Sequence, residues 1–171
     1  MKKIIKYFSA KDFKNFMKSY GYTSFMGNRM MPYNHDIHED FAVISIGNYA
    51  EWNDVDNDSE LYANGVNNHW IPSGVNVLNI EFGDVDETDL SAMSEGQAYD
   101  IINFIDANIN KQQFFIHCSA GVSRSGGVAS FLYDYFKELG YEVSITPKYP
   151  EMPNYYVKMM LNKTKREKNI E

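Results

Sequence analysis

The sequence has 171 residues, of which 44% are hydrophobic, and this is the size and composition of one globular domain with a buried core. Disordered and fibrous proteins are therefore excluded, and the formal net charge of -7 argues against a protein that covers nucleic acid phosphates with a broad basic surface. The single cysteine, Cys118, cannot form an internal disulfide and so requires no oxidising compartment.

Lysines interrupt the apolar residues at the amino terminus. Lys2, Lys3 and Lys6 fall where a secretory signal would need its hydrophobic region. No segment reaches the roughly 18 to 20 apolar residues that a membrane-spanning helix requires. We therefore expect a cytoplasmic protein without a membrane or nucleic acid partner. A basic cluster near the carboxyl terminus fits the solvated end of a helix, and its members are Lys163, Lys165, Arg166 and Lys168.

The first half of the chain predicts one helix, two strands and a long loop. Ser9 can cap a short amphipathic helix that Gly21 ends. Residues 41–46 form an apolar run of strand length, and residues 75–82 are predicted to be the next strand. Residues 53–68 are rich in Asn, Asp and Gly and low in apolar types, so we expect a loop or lid there.

In the second half of the chain, predicted helices and strands alternate. Ser94 and Gln97 form a capping-box pattern before a run of apolar residues at helical spacing. Residues 114–116 predict a short strand. The apolar residues between 128 and 139 predict an amphipathic helix that ends at Gly140.

This order of elements indicates an α/β fold. Strands that alternate with crossover helices favour a central, mostly parallel sheet flanked by helices on both faces, with right-handed connections. The sequence contains no internal repeat and no low-complexity linker, so residues 1–171 are expected to form a single domain.

The most informative segment is the loop between the strand at 114–116 and the helix that follows it. Its sequence from His117 to Gly127 is HCSAGVSRSGG. A buried strand that leads through small residues into a helix forms a concave group of backbone N–H donors, which together with the helix dipole binds an oxyanion. We therefore predict a phosphate site formed by the residues after the cysteine: Ser119, Ala120, Gly121, Val122, Ser123, Arg124 and Ser125.

Each polar residue of this loop suits a step of phosphate chemistry. Cys118 would be held as a nucleophilic thiolate by the surrounding N–H groups and by Arg124. The planar guanidinium of Arg124 can bind two phosphate oxygens at once. Gly121 permits a sharp bend of the backbone, Ser125 can donate a hydrogen bond to the sulfur, and His117 can support the loop from behind.

An ordinary structural interpretation of the same residues is also open. Cys118 would then be a small buried apolar residue, and Arg124 a surface cation. That interpretation leaves the Ser-Arg-Ser run unexplained. It also leaves unexplained the two glycines, Gly126 and Gly127, which open the helix at a cost of around 1 kcal/mol each relative to alanine and so predict close packing.

With its flanks, the loop resembles the signature of the cysteine-based protein tyrosine phosphatases, and within them the compact dual-specificity branch. The resemblance covers roughly residues 41–161 in motif order, and the first 40 residues have no match in it. The chain lacks the Trp-Pro-Asp tripeptide of the larger tyrosine-specific domains. The residues that carry the resemblance are His117-Cys118, Gly121, Arg124-Ser125, Asp84 at the strand end, and Pro153-Asn154 before the last helix.

The resemblance implies a protein phosphatase with the loop placed between a strand and a helix. It would hydrolyse phosphotyrosine, and phosphoserine or phosphothreonine if it has dual specificity, through a cysteinyl-phosphate intermediate. Its partner would be a phosphorylated protein or peptide. No metal and no cofactor would be required, and we expect a monomer.

A carboxyl group must protonate the departing oxygen from the same cleft. If the strands at 75–82 and 114–116 are parallel, Asp84 and Cys118 both emerge at the carboxyl edge of the sheet, where open α/β folds bind ligands. In the phosphatase family that the loop resembles, the general acid also follows the strand that corresponds to residues 75–82. Asp84 is the first candidate, Asp86 the second, and Asp89 or a substrate-assisted route the third.

Other functions remain open at this point. One is a phosphatase-like module that binds phosphate esters without turnover. Another is a phosphatase of a lipid or of an RNA 5'-phosphate end, although the neutral residues of the loop do not favour a polyanionic substrate. Sulfur transfer through a persulfide is a further alternative.

Two further groups of residues have alternative interpretations. His35 and His38, with the neighbouring acids, could bind a divalent metal, but a polar surface turn is the simpler interpretation. Asp54, Asp56 and Asp58 imitate the start of a calcium loop without its later ligands. Three aromatic residues would line either the cleft or the core: Tyr49, Trp52 and Trp70.

Overall fold

A computed structural model describes residues 1–25, 29–32, 40–48, 69–71, 73–85 and 90–170. Their strands are β1 Lys2–Ser9, β2 Tyr22–Phe25, β3 Arg29–Pro32, β4 Phe41–Gly47, β5 Val77–Glu81, β6 Gln113–Cys118 and β7 Glu142–Thr146. Their helices are α1 Ala10–Ser19, α2 Glu95–Ala107, α3 Arg124–Glu138 and α4 Tyr155–Ile170.

Five strands form one parallel sheet in the order β5-β4-β6-β1-β7, and β2 and β3 form a separate antiparallel pair. Successive residues of a strand point to opposite faces of the sheet, so alternate residues of the central strands contribute to two separate cores, one on each face. Ile44 and Ile116 pack in the core that includes residues of α2, α3 and α4. Val43 and Phe115 pack on the other face with α1. The predicted α/β fold, with helices on both faces of a parallel sheet, is confirmed.

Most of the predicted elements are present. Ser9 caps α1, and its hydroxyl accepts a hydrogen bond from the Asp12 N–H. Ser94 and Gln97 form the complete capping box at the start of α2. Gly140 follows α3 with a φ of 87°, which is the left-handed conformation that ends many helices.

The structure corrects some boundaries and adds strands that the sequence did not predict. The strand predicted over residues 75–82 is shorter, because Val75 lies in a turn and is 91% exposed. The strands β1 and β7 were not predicted, and neither was the pair of β2 and β3. The loop or lid predicted at 53–68 lies outside the described residues.

No helix in the described part of the chain combines the length and the apolar character needed to cross a membrane.

The buried amine of Lys3 joins β1 to the segment that follows α2. Lys3 is 0% exposed, and its Nζ donates to the carbonyl oxygens of Ile109 and Lys111. The same amine lies 4.7 Å from the ring centroid of Tyr141 and 5.4 Å from that of Phe136. Desolvation lowers the pKa of this lysine, so the carbonyl and ring contacts compensate a real cost of burial.

We expect Lys3→Met to lower the free energy of unfolding by about 1–3 kcal/mol, because it leaves two carbonyl groups without their donor. Urea unfolding followed by circular dichroism measures the change. Lys6→Met, on the same strand, is the matched control and should change stability by no more than about 0.5 kcal/mol. Equal stability of the two variants would contradict the role assigned to Lys3.

Candidate active site

The segment from Cys118 to Ser125, which we call the cysteine loop, follows a central strand of the sheet. β6 lies between β4 and β1 and ends at Cys118, and α3 begins at Arg124. The Ala10 N–H donates to the Ser119 carbonyl at 3.2 Å, which ties the loop to the start of α1. The loop therefore stands at the carboxyl edge of the sheet, as the sequence predicts.

The sulfur of Cys118 lies beneath this loop. The residue is 2% exposed, so the sulfur is not a surface group. The Gly121 N–H donates to Sγ at 3.2 Å, and the Ser125 hydroxyl lies 3.2 Å from the same atom. The predicted contact of Ser125 with the sulfur is confirmed. Both donors would stabilise a thiolate at this position.

Two glycines permit close approaches of the backbone, one within the cysteine loop and one in the first turn of α3. Gly121 has a φ of 72°, and a Cβ built there would lie 2.1 Å from the Ser9 nitrogen. A Cβ on Gly127 would lie 2.8 Å from the Asn154 carbonyl oxygen, so α3 approaches the start of α4 closely. The predicted bend and the predicted close packing are both confirmed.

The guanidinium of Arg124 is anchored at the ends of two strands. Arg124 is 6% exposed, and its Nη1 donates to the carbonyl oxygens of Gly47 at 3.2 Å and Phe82 at 2.9 Å. Its Nη2 donates to Asn48 Oδ1 at 3.0 Å, and the Ser119 hydroxyl donates to the same oxygen at 2.9 Å. Of the five N–H groups of the side chain, the Nε–H and the second Nη2–H have no acceptor among the described residues.

The carboxylate of Asp84 lies at the edge of the same loop. The Ser123 hydroxyl and the Asn154 Nδ2 each donate to Asp84 Oδ1 at 2.8 Å. Asp84 is exposed, and no donor among the described residues binds its Oδ2. The structure therefore brings Asp84 to the cysteine loop, whereas Asp86 and Asp89 lie outside the described residues.

His117 is enclosed behind the loop. It is 0% exposed, its ring stacks on Phe13 with 4.4 Å between centroids, and its Nε2 lies 2.7 Å from the Ser45 hydroxyl. Burial, together with the charges of His69 and Arg124, lowers the pKa of His117 to about 3. The ring therefore remains neutral at physiological pH and can support the loop without adding charge.

The lowered pKa of His117 predicts acid sensitivity. Below pH 6.5 the unfolded chain takes up a proton on this residue and the folded chain does not, so stability falls as the pH decreases toward 3. From pH 7 to pH 5, His117 should account for about 2 kcal/mol of the lost stability. Urea unfolding at both pH values measures the loss in the wild type and in His117→Asn, which should lack it.

A second measurement covers the case in which His117→Asn does not fold. The imidazole ¹⁵N shifts of the wild type report the charge of the ring directly. A cationic His117 at pH 5 in the folded protein would contradict the assignment.

Several residues of this site were not identified from the sequence. Asn48 bridges the loop and Arg124, but only the tertiary fold brings it there. Asn154 stands before the last helix, where its Oδ1 accepts from the Val157 N–H, and its contact with Asp84 does not follow from the local sequence. Ser45 is a polar residue inside an otherwise apolar strand, and this is the sequence feature that could have identified it as a partner of a buried polar group.

Of the other residues that the sequence offered as candidates for a cleft or a metal site, one lies in the core and the rest lie outside the described residues. Trp70 is a core residue, 3% exposed, and its Nε1 donates to the Ala10 carbonyl. His35, His38, Tyr49, Trp52 and the acids at 54–58 lie outside the described residues. Among the residues described, no group of three or more His, Cys, Asp or Glu is arranged to hold a metal ion.

Comparisons with protein-family models, with curated proteins and with solved structures found no match to this chain.

Proposed function

We propose that this protein is a cysteine-dependent phosphatase that hydrolyses phosphotyrosine in proteins or peptides, and that phosphoserine and phosphothreonine are its further candidate substrates. One observation carries the proposal. Two hydrogen-bonding groups surround the sulfur of Cys118 in a strand-to-helix loop that also holds Arg124. This combination supports a thiolate nucleophile beside a group that binds phosphate.

In the first step, Cys118 Sγ attacks phosphorus and forms a sulfur–phosphorus bond while the bond from phosphorus to the leaving oxygen breaks. The two unassigned N–H groups of Arg124 are available for two phosphate oxygens, and the strand-end carbonyls hold the guanidinium in place. The charge of the transferring group is thereby stabilised without a metal ion.

Asp84 supplies the proton to the leaving oxygen. Because Oδ1 accepts two hydrogen bonds, Oδ2 is the oxygen that carries this proton. In the second step, the Asp84 carboxylate takes a proton from water as the water oxygen attacks phosphorus, and the sulfur–phosphorus bond breaks to release inorganic phosphate. The first step needs an ionised sulfur together with a protonated carboxyl.

A second candidate function has one observation in its favour. Cys118 is only 2% exposed, so almost all of its surface is covered by other residues. A module that binds a phosphate ester at the outer part of the loop needs no access to the sulfur, so the burial of Cys118 is compatible with this function. The two functions differ in turnover and not in binding.

A substrate panel separates them. The full chain is incubated, with a metal chelator present, with a phosphotyrosine peptide, a phosphoserine peptide, a phosphoinositide and an RNA with a 5'-triphosphate, and released phosphate is measured. We expect the highest kcat/KM with the phosphotyrosine peptide. Binding of that peptide without phosphate release would favour the binding module, and faster release from the lipid or the RNA would replace the proposed substrate.

A further inference from the structure

The side chain of Asn48 binds both ends of the cysteine loop, and the mechanism proposed above gives it no role. Asn48 is the first residue after β4, whose pairing with β6 brings the ends of these two strands together. Its Oδ1 accepts from the Ser119 hydroxyl at 2.9 Å and from Arg124 Nη2 at 3.0 Å. One amide oxygen therefore holds the residue after the nucleophile and the guanidinium at the same time.

The contact with Asn48 also determines which part of the guanidinium is left for a ligand. A guanidinium has only N–H donors, so the oxygen of the amide, and not its nitrogen, faces Arg124. Both Nη1–H groups donate to the carbonyl oxygens of Gly47 and Phe82. The Nε–H and one Nη2–H remain without an acceptor among the described residues. Nε and Nη2 form one edge of the planar group, and this edge can bind two oxygens of one anion.

The acceptors that hold Arg124 are all neutral. They are two backbone carbonyls and one side-chain amide, and no ion pair within the described part of the chain includes this residue. Arg124 is nevertheless only 6% exposed, and a buried charge without a counter-ion is costly. An anion at the free edge would supply the missing charge, whereas a carboxylate at position 48 would already neutralise the guanidinium.

We propose that Asn48 is a positioning residue for Arg124, and that its neutral amide keeps the charge of the guanidinium for an anionic ligand such as phosphate. The effect of Asn48 on hydrolysis rests on the proposed function, whereas its effect on anion binding does not. A negative charge at position 48 should therefore weaken anion binding without weakening the fold.

Two variants separate the charge of residue 48 from its hydrogen bonds. Asn48→Asp keeps an oxygen that accepts from Ser119 and Arg124 but adds a negative charge, so the dissociation constant for inorganic phosphate should rise at least about tenfold. Its midpoint of urea unfolding should equal or exceed that of the wild type, because the carboxylate pairs a buried charge. Asn48→Ala removes the acceptor without adding charge, so it should lower the midpoint and weaken phosphate binding less than Asn48→Asp does.

Phosphate binding is measured at Arg124 itself. The sequence has three arginines, so Arg29→Lys and Arg166→Lys identify the remaining Nε–H signal in ¹H–¹⁵N spectra of the full chain. We expect inorganic phosphate to shift the Arg124 Nε–H signal of the wild type, and the same shift in Asn48→Asp should require at least about tenfold more phosphate.

Asn103→Asp is the matched control. Asn103 lies on α2, and its Oδ1 accepts from Lys168 Nζ at 2.8 Å. The same substitution therefore places the same charge beside another cation, outside the cysteine loop. Phosphate binding of this variant should equal that of the wild type.

Three results would overturn the proposal. They are an Arg124 Nε–H signal that does not respond to phosphate in the wild type, an Asn48→Asp variant with wild-type affinity for phosphate, and an Asn48→Asp variant less stable than Asn48→Ala. Hydrolysis of p-nitrophenyl phosphate is the separate arm, in which Asn48→Asp should lower kcat/KM at least about tenfold, chiefly through KM. A wild type that binds phosphate at Arg124 but does not hydrolyse the ester would remove the proposed function and leave the role of Asn48 in anion binding.

Discussion

Replacement of Cys118 by serine should abolish phosphate release, with a loss of kcat of at least about 10³-fold on a phosphotyrosine peptide. The serine hydroxyl has nearly the same size as the thiol and keeps the contacts with the Gly121 N–H and the Ser125 hydroxyl. It is not ionised under these conditions, so the nucleophile is lost while the loop is retained. Phosphate release is measured with the wild type and the variant at equal concentration.

The control for this experiment is a serine-to-alanine change elsewhere. Ser130→Ala lies on α3 outside the cysteine loop and should retain full activity. Circular dichroism and peptide binding verify that Cys118→Ser is folded. A Cys118→Ser variant that keeps wild-type turnover would exclude the sulfur as the nucleophile.

Replacement of Asp84 by asparagine should lower kcat/KM by about 10²-fold or more on substrates with a poor leaving group. Asparagine still offers an Oδ1 that accepts from Ser123 and Asn154, but it carries no transferable proton. The loss should be much smaller with p-nitrophenyl phosphate than with phenyl phosphate, because p-nitrophenolate leaves without protonation. The measured quantity is the ratio of the two losses of kcat/KM, which reports the first step and not the shared second step.

Asp86→Asn and Asp89→Asn are the matched controls, since the sequence offers these two residues as alternative acids. Each should retain most of the activity on both substrates. A larger loss of activity in Asp86→Asn than in Asp84→Asn would identify Asp86, and not Asp84, as the general acid. Equal losses of kcat/KM on the two substrates in Asp84→Asn would indicate a structural role for Asp84 instead of proton donation.

The fold could be predicted where burial leaves a clear pattern in the sequence. All seven residues of β4 are buried, so the strand appears in the sequence as an apolar run in which Ser45 is the only polar side chain. β1 gave no such pattern, because Lys3 is a charged residue in a fully buried position. Its amine is satisfied by the Ile109 carbonyl, which is 106 positions away in the chain, and no local rule reports such a contact.

In the candidate site, too, the residues that depend on local structure could be predicted and those that depend on the tertiary fold could not. The roles of Gly121 and Ser125 follow from their spacing from Cys118, because the strand-to-helix loop is a local structure. Asn48 could not be predicted, since it contacts Arg124 only through the pairing of β4 with β6. His69 lacks any local motif, and its ring contacts Ser45 on β4 and Glu81 on β5 only because the tertiary fold brings them together.

The most direct test of the account is to trap the covalent intermediate. The Asp84→Asn variant is mixed with p-nitrophenyl phosphate, because this substrate still permits the first step while loss of the carboxylate slows the second. The reaction is quenched in acid, and the digested protein is analysed by mass spectrometry. We expect the peptide containing Cys118 to gain the mass of one phosphoryl group on sulfur. Release of phosphate by the wild type, with no phosphoryl group on Cys118 in the quenched variant or with that group on another residue, would contradict it.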